Sequence, residues 1–187
     1  MNFFNWLFAK SKTSERKYAG VATLAVLIAL MSPLIKWGTE SIFPPWGPDV
    51  VAPPPMQIMD YWGFDSPMWT ILGGNAMPWG GLLHVLLSFF CVYVYIQLAE
   101  KYPRLTFWRG IGMGIIYTII LHYIMVPLMG AMPDLFGPDV WRTAPWNLPF
   151  QSNFNELIDH ILWMWVVEEM RAGMRAKKFG IHTARLQ

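Results

Sequence analysis

Three long stretches of this chain carry no Asp, Glu, Lys or Arg, and they restrict its fold more than any other feature. Residues 18–35 lie between Lys17 and Lys36, and residues 78–99 and 110–133 form two further uncharged stretches. A helix needs about 20 consecutive apolar residues to cross the hydrocarbon core of a bilayer. Each stretch therefore predicts a transmembrane helix.

The composition agrees with a membrane protein. Hydrophobic residues make up 55% of the 187 residues and charged residues only 14%, whereas a soluble domain carries about 25% charged residues. The formal net charge of +2 is too small to predict nucleic-acid binding. The single Cys91 excludes an intrachain disulfide and a cysteine-based zinc site.

A fourth span is predicted at residues 154–170, where the apolar run "ILWMWVV" follows two acids and a histidine. The distribution of basic residues supports it, because loops on the cytoplasmic side are enriched in Lys and Arg. Twelve of the fourteen basic residues lie in the N-terminal tail, in the link between the second and third spans, or in the C-terminal tail. We therefore expect an all-α membrane protein with one integral domain over residues 1–187. Its four helices would cover residues 18–35, 78–99, 110–130 and 154–170, with both termini in the cytoplasm.

The two outer linkers, residues 36–77 and 131–153, are rich in Pro, Trp and Gly. They are too apolar for solvated linkers, and short helices around residues 56–62 and 67–72 would suit the outer interface. We expect the linkers to form a Trp/Pro-rich cap on the periplasmic side. A plain aromatic belt explains the tryptophans equally well.

Three histidines lie at similar depths in three different predicted spans. His84, His122 and His160 are six to eight residues from the outer ends of their helices, which corresponds to roughly 9–12 Å. Glu156 lies one helical turn above His160. Ionisable side chains at this depth are expected to turn inward, towards one another or towards water, so these four residues predict one outward-facing site.

Polar neighbours extend this site along the same helices. Ser88 follows His84 by four residues, and Thr118 precedes His122 by four, so each shares a helix face with its histidine. Asp159 precedes His160 directly and is a secondary candidate, at the rim of the site or at a subunit contact.

Four interpretations of the histidine layer remain open. Histidine changes its charge between about pH 5 and 8, so the layer is compatible with a proton-responsive or solute-conducting site. Histidine with a carboxylate also suits Zn, Cu, Fe or Ni, and two histidines can ligate haem. Finally, the histidines can simply hydrogen-bond neighbouring helices. No cofactor is required by the sequence.

Two ion pairs are predicted at the ends of the spans. Lys36 ends the first span and can extend outward to the surface, where Glu40 lies four residues further along. Glu168 and Arg171 are three residues apart near the cytoplasmic boundary, where a local pair would finish the fourth helix.

The chain resembles the YagU family of bacterial inner-membrane proteins over most of its length. The resemblance is strongest in "IKWGTE" followed by "PP", in "PWGGLLHVLLS", in "HYIMVPLMG" followed by "PDLF", and in "NELIDHILWMW" followed by "VVEEMR". It implies a multi-pass inner-membrane protein that is linked to survival in acid. Asp159 and Asn75 stand where the family pattern has Gly and His, so the resemblance does not support them as parts of a shared mechanism.

The function expected from these observations is not enzymatic. The sequence has no P-loop, no GxSxG and no His-Glu-x-x-His motif, and its carboxylates form no obvious acid/base pair. We expect an inner-membrane protein that contributes to acid resistance through the intramembrane His/Glu site. The alternatives are a metal- or haem-binding membrane protein and an accessory subunit of a larger complex. The lipid bilayer is the expected partner, and small-residue helix faces favour self-association.

Overall fold

The computed structural model describes residues 2–42, 54–63 and 79–186, without the side chains of residues 37–42, 56, 59, 60, 79–82 and 84. These ranges are almost entirely helical. Their only β-type pairing is an isolated antiparallel bridge between Ser11 and Leu186. The all-α prediction is therefore confirmed for the described part of the chain.

The described residues contain four long helical segments, preceded by the short helix α1 (Phe3–Leu7). The first two are α2 (Tyr18–Ile42) and α4 (Trp79–Lys101). The third is continuous from α5 (Ile111–Thr118) through a π-helix (Ile119–Met125) into α6 (Val126–Gly130). The last is α8 (Phe150–Phe179), which follows the short helix α7 (Pro133–Phe136).

Two described segments are long and apolar enough to cross a membrane, Tyr18–Lys36 and Pro103–Gly130. The second contains a break, because Trp108, Arg109 and Gly110 have φ angles of +51°, +57° and +89°. Its helical part begins at Ile111 and is still long enough to span a bilayer core.

The contacts divide the chain into two compact units. The first contains Met1–Ile35, Ser88–Gly114 and Ile161–Gln187, and the second contains Lys36–Leu87 and Ile115–His160. The chain passes from one unit to the other four times, once within each long helical segment.

The first unit joins the two chain termini to the link after α4. The Ser11 backbone N–H donates to the Lys101 carbonyl, and the Lys12 N–H donates to the Arg185 carbonyl. The Arg104 guanidinium donates to the Trp6 carbonyl at 3.2 Å. These three basic segments therefore lie together.

A left-handed turn at residues 108–110 places the start of α5 directly against α8. A Cβ atom on Gly110 would lie 2.3 Å from the Met164 carbonyl oxygen, so only glycine permits this approach. Its φ of +89° also belongs to the region that glycine tolerates best.

In the second unit, described residues of the two outer linkers pack against each other beside α6. Helix α3 (Pro54–Tyr61) overlaps the predicted interfacial helix at residues 56–62, whereas the helix predicted at 67–72 lies outside the described residues. The Trp62 indole donates to the Leu135 carbonyl at 2.7 Å. Ile58, Val126 and Val140 pack in one buried core, so the Pro- and Trp-rich linkers fold against each other.

Two helices extend beyond the predicted spans. Helix α2 contains Pro33 and continues to Ile42. Helix α8 begins four residues earlier than predicted and continues nine residues beyond Met170. The charged residues that suggested the C-terminal end of α8 are instead buried within the first unit, as described below.

Candidate functional site

Five ionisable residues of the second unit converge from three helical segments. Helix α2 supplies Lys36, the π-helix supplies His122, and one turn of α8 supplies Glu156, Asp159 and His160. Each of the five takes part in at least one ion pair with another of them. We call these residues the His–Glu cluster.

The Glu156 carboxylate lies at the centre of the cluster. Its Oε2 atom is 3.2 Å from His122 Nε2, 3.7 Å from His160 Nδ1 and 4.0 Å from Lys36 Nζ. His160 Nδ1 also lies 2.7 Å from the Glu156 backbone carbonyl. The two imidazole rings meet edge to face, with centroids 5.1 Å apart. The structure thus brings His122 and His160, from two helical segments, to the same Glu156 carboxylate.

The π-helix gives His122 its position. A π-turn inserts one extra residue into a helix and rotates the residues that follow, and such turns occur frequently at functional sites. His122 is the central residue of the seven in Ile119–Met125. In a regular α-helix the face towards which His122 points would be different.

The Lys36 side chain does not extend to the surface as the sequence predicted. Its side chain is only 3% exposed instead of extending to the surface, and its ammonium group contacts the Asp159 carboxylate. A helix that continues past Pro33 keeps Lys36 facing α8, where Asp159 offers a buried partner. The Glu40 side chain lies outside the described residues, so the predicted pair with Lys36 is not seen here.

Asp159 therefore occupies a different place from the one the sequence indicated. It is 6% exposed and belongs to the buried cluster rather than to its rim. A buried lysine needs a partner of opposite charge, because an isolated charge is costly to remove from water. Asp159 supplies that partner.

A cavity of about 270 Å³ opens beside the cluster. Lys36, His122, Glu156 and His160 form its polar end. The remaining wall is mostly apolar and includes Ile58, Leu83, Leu87, Leu121, Val126 and Phe136. The site thus combines a charged end with an apolar body, which is the usual character of small-ligand pockets.

The cluster has a donor set that a metal ion would accept. His122, Glu156 and His160 each offer one ligand atom, and these atoms lie within 4.8 Å of one another. The Lys36 ammonium lies 4.0 Å from the Glu156 carboxylate and disfavours metal binding, since it competes with a metal cation for that carboxylate. Ligation of haem between His122 and His160 is disfavoured, because rings 5.1 Å apart leave no room for a porphyrin.

The other predicted site residues have mixed outcomes. His84 lies in α4, but its side chain is outside the described residues. Thr118 is buried in the second unit, next to the start of the π-helix. Ser88 is buried as well, but it belongs to the first unit.

A second buried ionic cluster lies in the first unit, and we call it the Arg–Glu network. It consists of two ion pairs and a tyrosine, all at most 5% exposed: Tyr95, Glu100, Glu168, Arg171 and Arg175. Arg171 donates to Glu168 at 2.6 and 2.7 Å, and the Tyr95 hydroxyl donates to the same carboxylate at 2.8 Å. Glu168 and Arg171 thus pair as predicted, but they do not finish the helix, which continues to Phe179.

The Glu100–Arg175 pair was not predicted from the sequence. Arg175 Nε and Nη2 donate to the two Glu100 oxygens at 2.6 and 3.0 Å. Arg175 also donates to the carbonyls of Ile181 and Glu15, so it connects both tails to α4. The sequence did contain a signal for this pair. Arg171 and Arg175 are four residues apart and lie on the same face of α8 as Glu168, so Arg175 was a candidate for a buried ion pair on that face.

The comparisons with known proteins agree with the resemblance noted in the sequence. The model of a family described as "Protein of unknown function (DUF1440)" matches residues 30–169, a segment that includes the whole His–Glu cluster. The inner membrane protein YagU of Escherichia coli (strain K12) is 25% identical over 195 residues, which cover 90% of this chain and 91% of that protein. No solved structure matches the chain.

Proposed function

We propose that this chain, which belongs to the DUF1440 family, is a four-span bacterial inner-membrane protein whose His–Glu cluster binds a proton and contributes to acid resistance. The relative YagU is an inner membrane protein, and two described segments here are apolar enough to span a bilayer. The acid role comes from the resemblance to that family, and the cluster supplies a chemical basis for it.

The contacts of the first unit support the four-span topology. The N-terminal tail, the link after α4 and the C-terminal tail hold most of the basic residues, and they bond to one another. Segments that meet in this way lie on one side of the membrane. An even number of spans then separates each pair of these segments, which supports two spans between the N-terminal tail and the link and two more between the link and the C-terminal tail. The basic side is expected to be cytoplasmic.

The charge of the His–Glu cluster is the observation that carries the proton-binding proposal. Among the described residues of this cluster, Lys36 contributes one positive charge and Glu156 and Asp159 contribute two negative charges, which gives a net charge of −1 when both histidines are neutral. A buried net charge is unfavourable. One proton on the His122–Glu156–His160 group makes the cluster neutral.

Protonation would change how the three helical segments hold together. A proton shared between His122 and Glu156 strengthens their 3.2 Å contact, because a hydrogen bond between charged groups is about twice as strong as a neutral one. The π-helix and α8 are then held more tightly on the side facing the periplasm. Such a change can gate a path for a small solute or ion, or alter a subunit contact.

Histidine variants test this proposal. His84→Ala, His122→Ala and His160→Ala are each expected to abolish the survival of a complemented deletion strain after acid challenge. His182→Ala is the matched control, because His182 lies in the C-terminal tail and is expected to leave survival unchanged. Size-exclusion chromatography of each purified variant separates loss of function from loss of folded protein. Full survival of all three folded variants would refute the proposal.

A metal site is the second candidate function, and the convergence of three ligand atoms within 4.8 Å favours it. Elemental analysis of protein purified without chelators or added metal distinguishes the two. One equivalent of a transition metal that is lost in both His122→Ala and His160→Ala would support the metal site and displace the proton-binding proposal.

A further inference from the structure

We propose that the aromatic and basic side chains around helix α1 bind anionic phospholipids of the cytoplasmic leaflet and anchor the N-terminal segment to the membrane surface. We call this surface the aromatic–basic patch, and it consists of six residues of the first unit: Phe3, Phe4, Phe8, Lys10, Arg104 and Trp108. The inference uses the membrane topology of the proposed function but not the His–Glu cluster, which belongs to the second unit.

Helix α1 is fixed to the link after α4 by aromatic contacts. It has only five residues, and an isolated helix of that length is not stable in water. The centroid of the Phe107 ring lies 5.7 Å from that of Trp6 and 6.3 Å from that of Phe3. The Arg104 guanidinium lies over the Trp6 ring, 5.1 Å from its centroid, and donates to the Trp6 carbonyl at 3.2 Å. These contacts give the short helix a defined outer face.

That outer face exposes large aromatic side chains. Phe4 and Trp108 are each 68% exposed, and Phe3 and Phe8 are 54% and 46% exposed. Trp108 also has a left-handed backbone with a φ of +51°, and strained conformations of this kind concentrate at functional sites. Exposed apolar surface next to polar residues is typical of sites that bind a protein or a membrane.

The position of the patch along the chain favours the bilayer as its occupant. Trp108 lies three residues before Ile111, where the helical part of one apolar span begins. Lys17 directly precedes α2, which carries the other apolar span. The patch is therefore held covalently at the ends of two segments that enter the bilayer. Tryptophan is enriched at this level of a membrane, where its ring meets both lipid and water.

The charge of the same segments favours anionic lipids. Residues 2–17 and 101–110 contain seven Lys and Arg residues and a single acid, Glu15. Glu15 pairs with Arg185, and Arg109 pairs with Glu169, which leaves six basic residues outside the described ion pairs. Clusters of about four to eight basic residues next to a membrane span attract anionic headgroups.

Arg104 is the residue best prepared to hold a headgroup phosphate. Its guanidinium is already fixed by the Trp6 ring, so little conformational freedom remains to be lost on binding. Among the described residues, its one hydrogen-bond acceptor is the Trp6 carbonyl. Its other N–H groups can therefore donate to a phosphate, which guanidinium groups bind with two parallel hydrogen bonds. Lys10 is exposed three residues after α1 and adds a second positive charge.

Native mass spectrometry of the purified full chain measures the lipid preference, with phosphatidylglycerol and phosphatidylcholine of equal chain length as probes. We expect phosphatidylglycerol to be retained preferentially. Each basic residue near an anionic surface contributes on the order of fivefold in affinity. The double variant Lys10→Gln with Arg104→Gln is thus expected to lower the preference by roughly 25-fold, and Lys10→Gln alone by about fivefold, which keeps the test decisive if the double variant does not fold.

Arg142→Gln is the matched control for these variants. Arg142 is equally basic and exposed, but it lies in the second outer linker, so an unchanged preference for phosphatidylglycerol is expected. Equal retention of the two lipids by the unaltered chain, or an unchanged preference in the folded Lys10 and Arg104 variants, would overturn the inference.

A spin label tests whether the bilayer covers the aromatic face. Phe4→Cys is labelled in a Cys91→Ser background, because Cys91 is the single cysteine, and the full chain is reconstituted in vesicles that contain phosphatidylglycerol. We expect the label to be accessible to oxygen and protected from a water-soluble nickel complex. A label at Lys177→Cys, an exposed position near the C-terminal end of α8, is the control and is expected to be accessible to the nickel complex.

Two results of the labelling would contradict the inference. One is equal access of the nickel complex to the labels at positions 4 and 177, which would place the aromatic face in water. The other is a spin–spin interaction between labels at position 4, which would show that a second copy of the chain covers the patch. Neither measurement involves the His–Glu cluster, so a failure here leaves the acid-survival test of the proposed function unaffected.

Discussion

The buried Arg175–Glu100 pair leads to the sharpest stability prediction, which is that Arg175→Met strongly destabilises the protein. Arg175 is fully buried and Glu100 is 1% exposed. Removal of the guanidinium eliminates two hydrogen bonds to Glu100 and two to backbone carbonyls. Within the described part of the chain, the Glu100 carboxylate then keeps a single hydrogen bond, from the Lys17 backbone N–H at 2.9 Å.

The expected magnitude follows from burial. Removing one partner of a buried ion pair typically costs about 3–5 kcal/mol, because the other charge stays buried without compensation. At about 1.4 kcal/mol per tenfold change, this lowers the folded-to-unfolded ratio by roughly two to three and a half orders of magnitude. A protein with an ordinary free energy of unfolding of about 5–15 kcal/mol would lose a large part of its stability.

The chain offers a matched control of equal geometry and different burial. Arg109 and Glu169 also approach to 2.6 Å, but their side chains are 72% and 37% exposed. Exposed pairs contribute about 0–1 kcal/mol, so Arg109→Met is expected to lower the stability by no more than that. The double variant Arg175→Met with Glu100→Gln removes both buried charges and is expected to be more stable than Arg175→Met alone.

Stability is measured by equilibrium unfolding in mixed micelles with an increasing fraction of sodium dodecyl sulfate. The four proteins are the unaltered chain, the two single variants and the double variant. Circular dichroism follows the loss of helix, and the midpoints give the differences in free energy. Equal effects of Arg175→Met and Arg109→Met would refute the reasoning from burial. A double variant less stable than Arg175→Met would show that the uncompensated Glu100 charge is not the main cost.

Two further predictions concern the glycines and the terminal tails. Gly110→Ala is expected to lower the unfolding free energy by at least about 1–2 kcal/mol, since it forces a side chain into a left-handed conformation and against the Met164 carbonyl. Gly173→Ala is expected to raise the unfolding free energy by about 0.5–1 kcal/mol, because an added Cβ atom there would meet nothing within 4 Å. Thermal unfolding that ranks the two variants in the opposite order would contradict this reasoning. The Arg185 backbone N–H and guanidinium bond to Glu15 and hold the pKa of this carboxyl below its ordinary value of 4.5, so the contact contributes fully above that value and is lost as the pH falls through the folded-state pKa. Hydrogen exchange of the Arg185 amide is expected to accelerate on acidification in the unaltered chain and to be insensitive to pH in this range, after correction for intrinsic exchange, in Glu15→Gln.

The apolar runs of this chain were sufficient to locate the long helices. Charge-free stretches of this length must satisfy their backbone polar groups internally, and a helix does so within one segment. The same logic of depth predicted one site formed by His84, His122, His160 and Glu156, and the structure brings His122, His160 and Glu156 together, while the His84 side chain lies outside the described residues. The positions of the helices and the depths of these residues follow from the rise per residue of a helix, which the order of residues specifies directly.

The partners in the buried ion pairs could not be predicted from the apolar runs or from the depth of residues in their helices. Asp159 with Lys36, and Glu100 with Arg175, are separated by 123 and 75 residues, and their pairing depends on how helices rotate and pack. The π-helix is another example, because one extra residue in the turn alters which face His122 presents. Local pattern therefore specified which segments are helical and which residues share a face. Tertiary packing decided which charges become buried together, since the free energy of burying a charge depends on the partner that another helix brings.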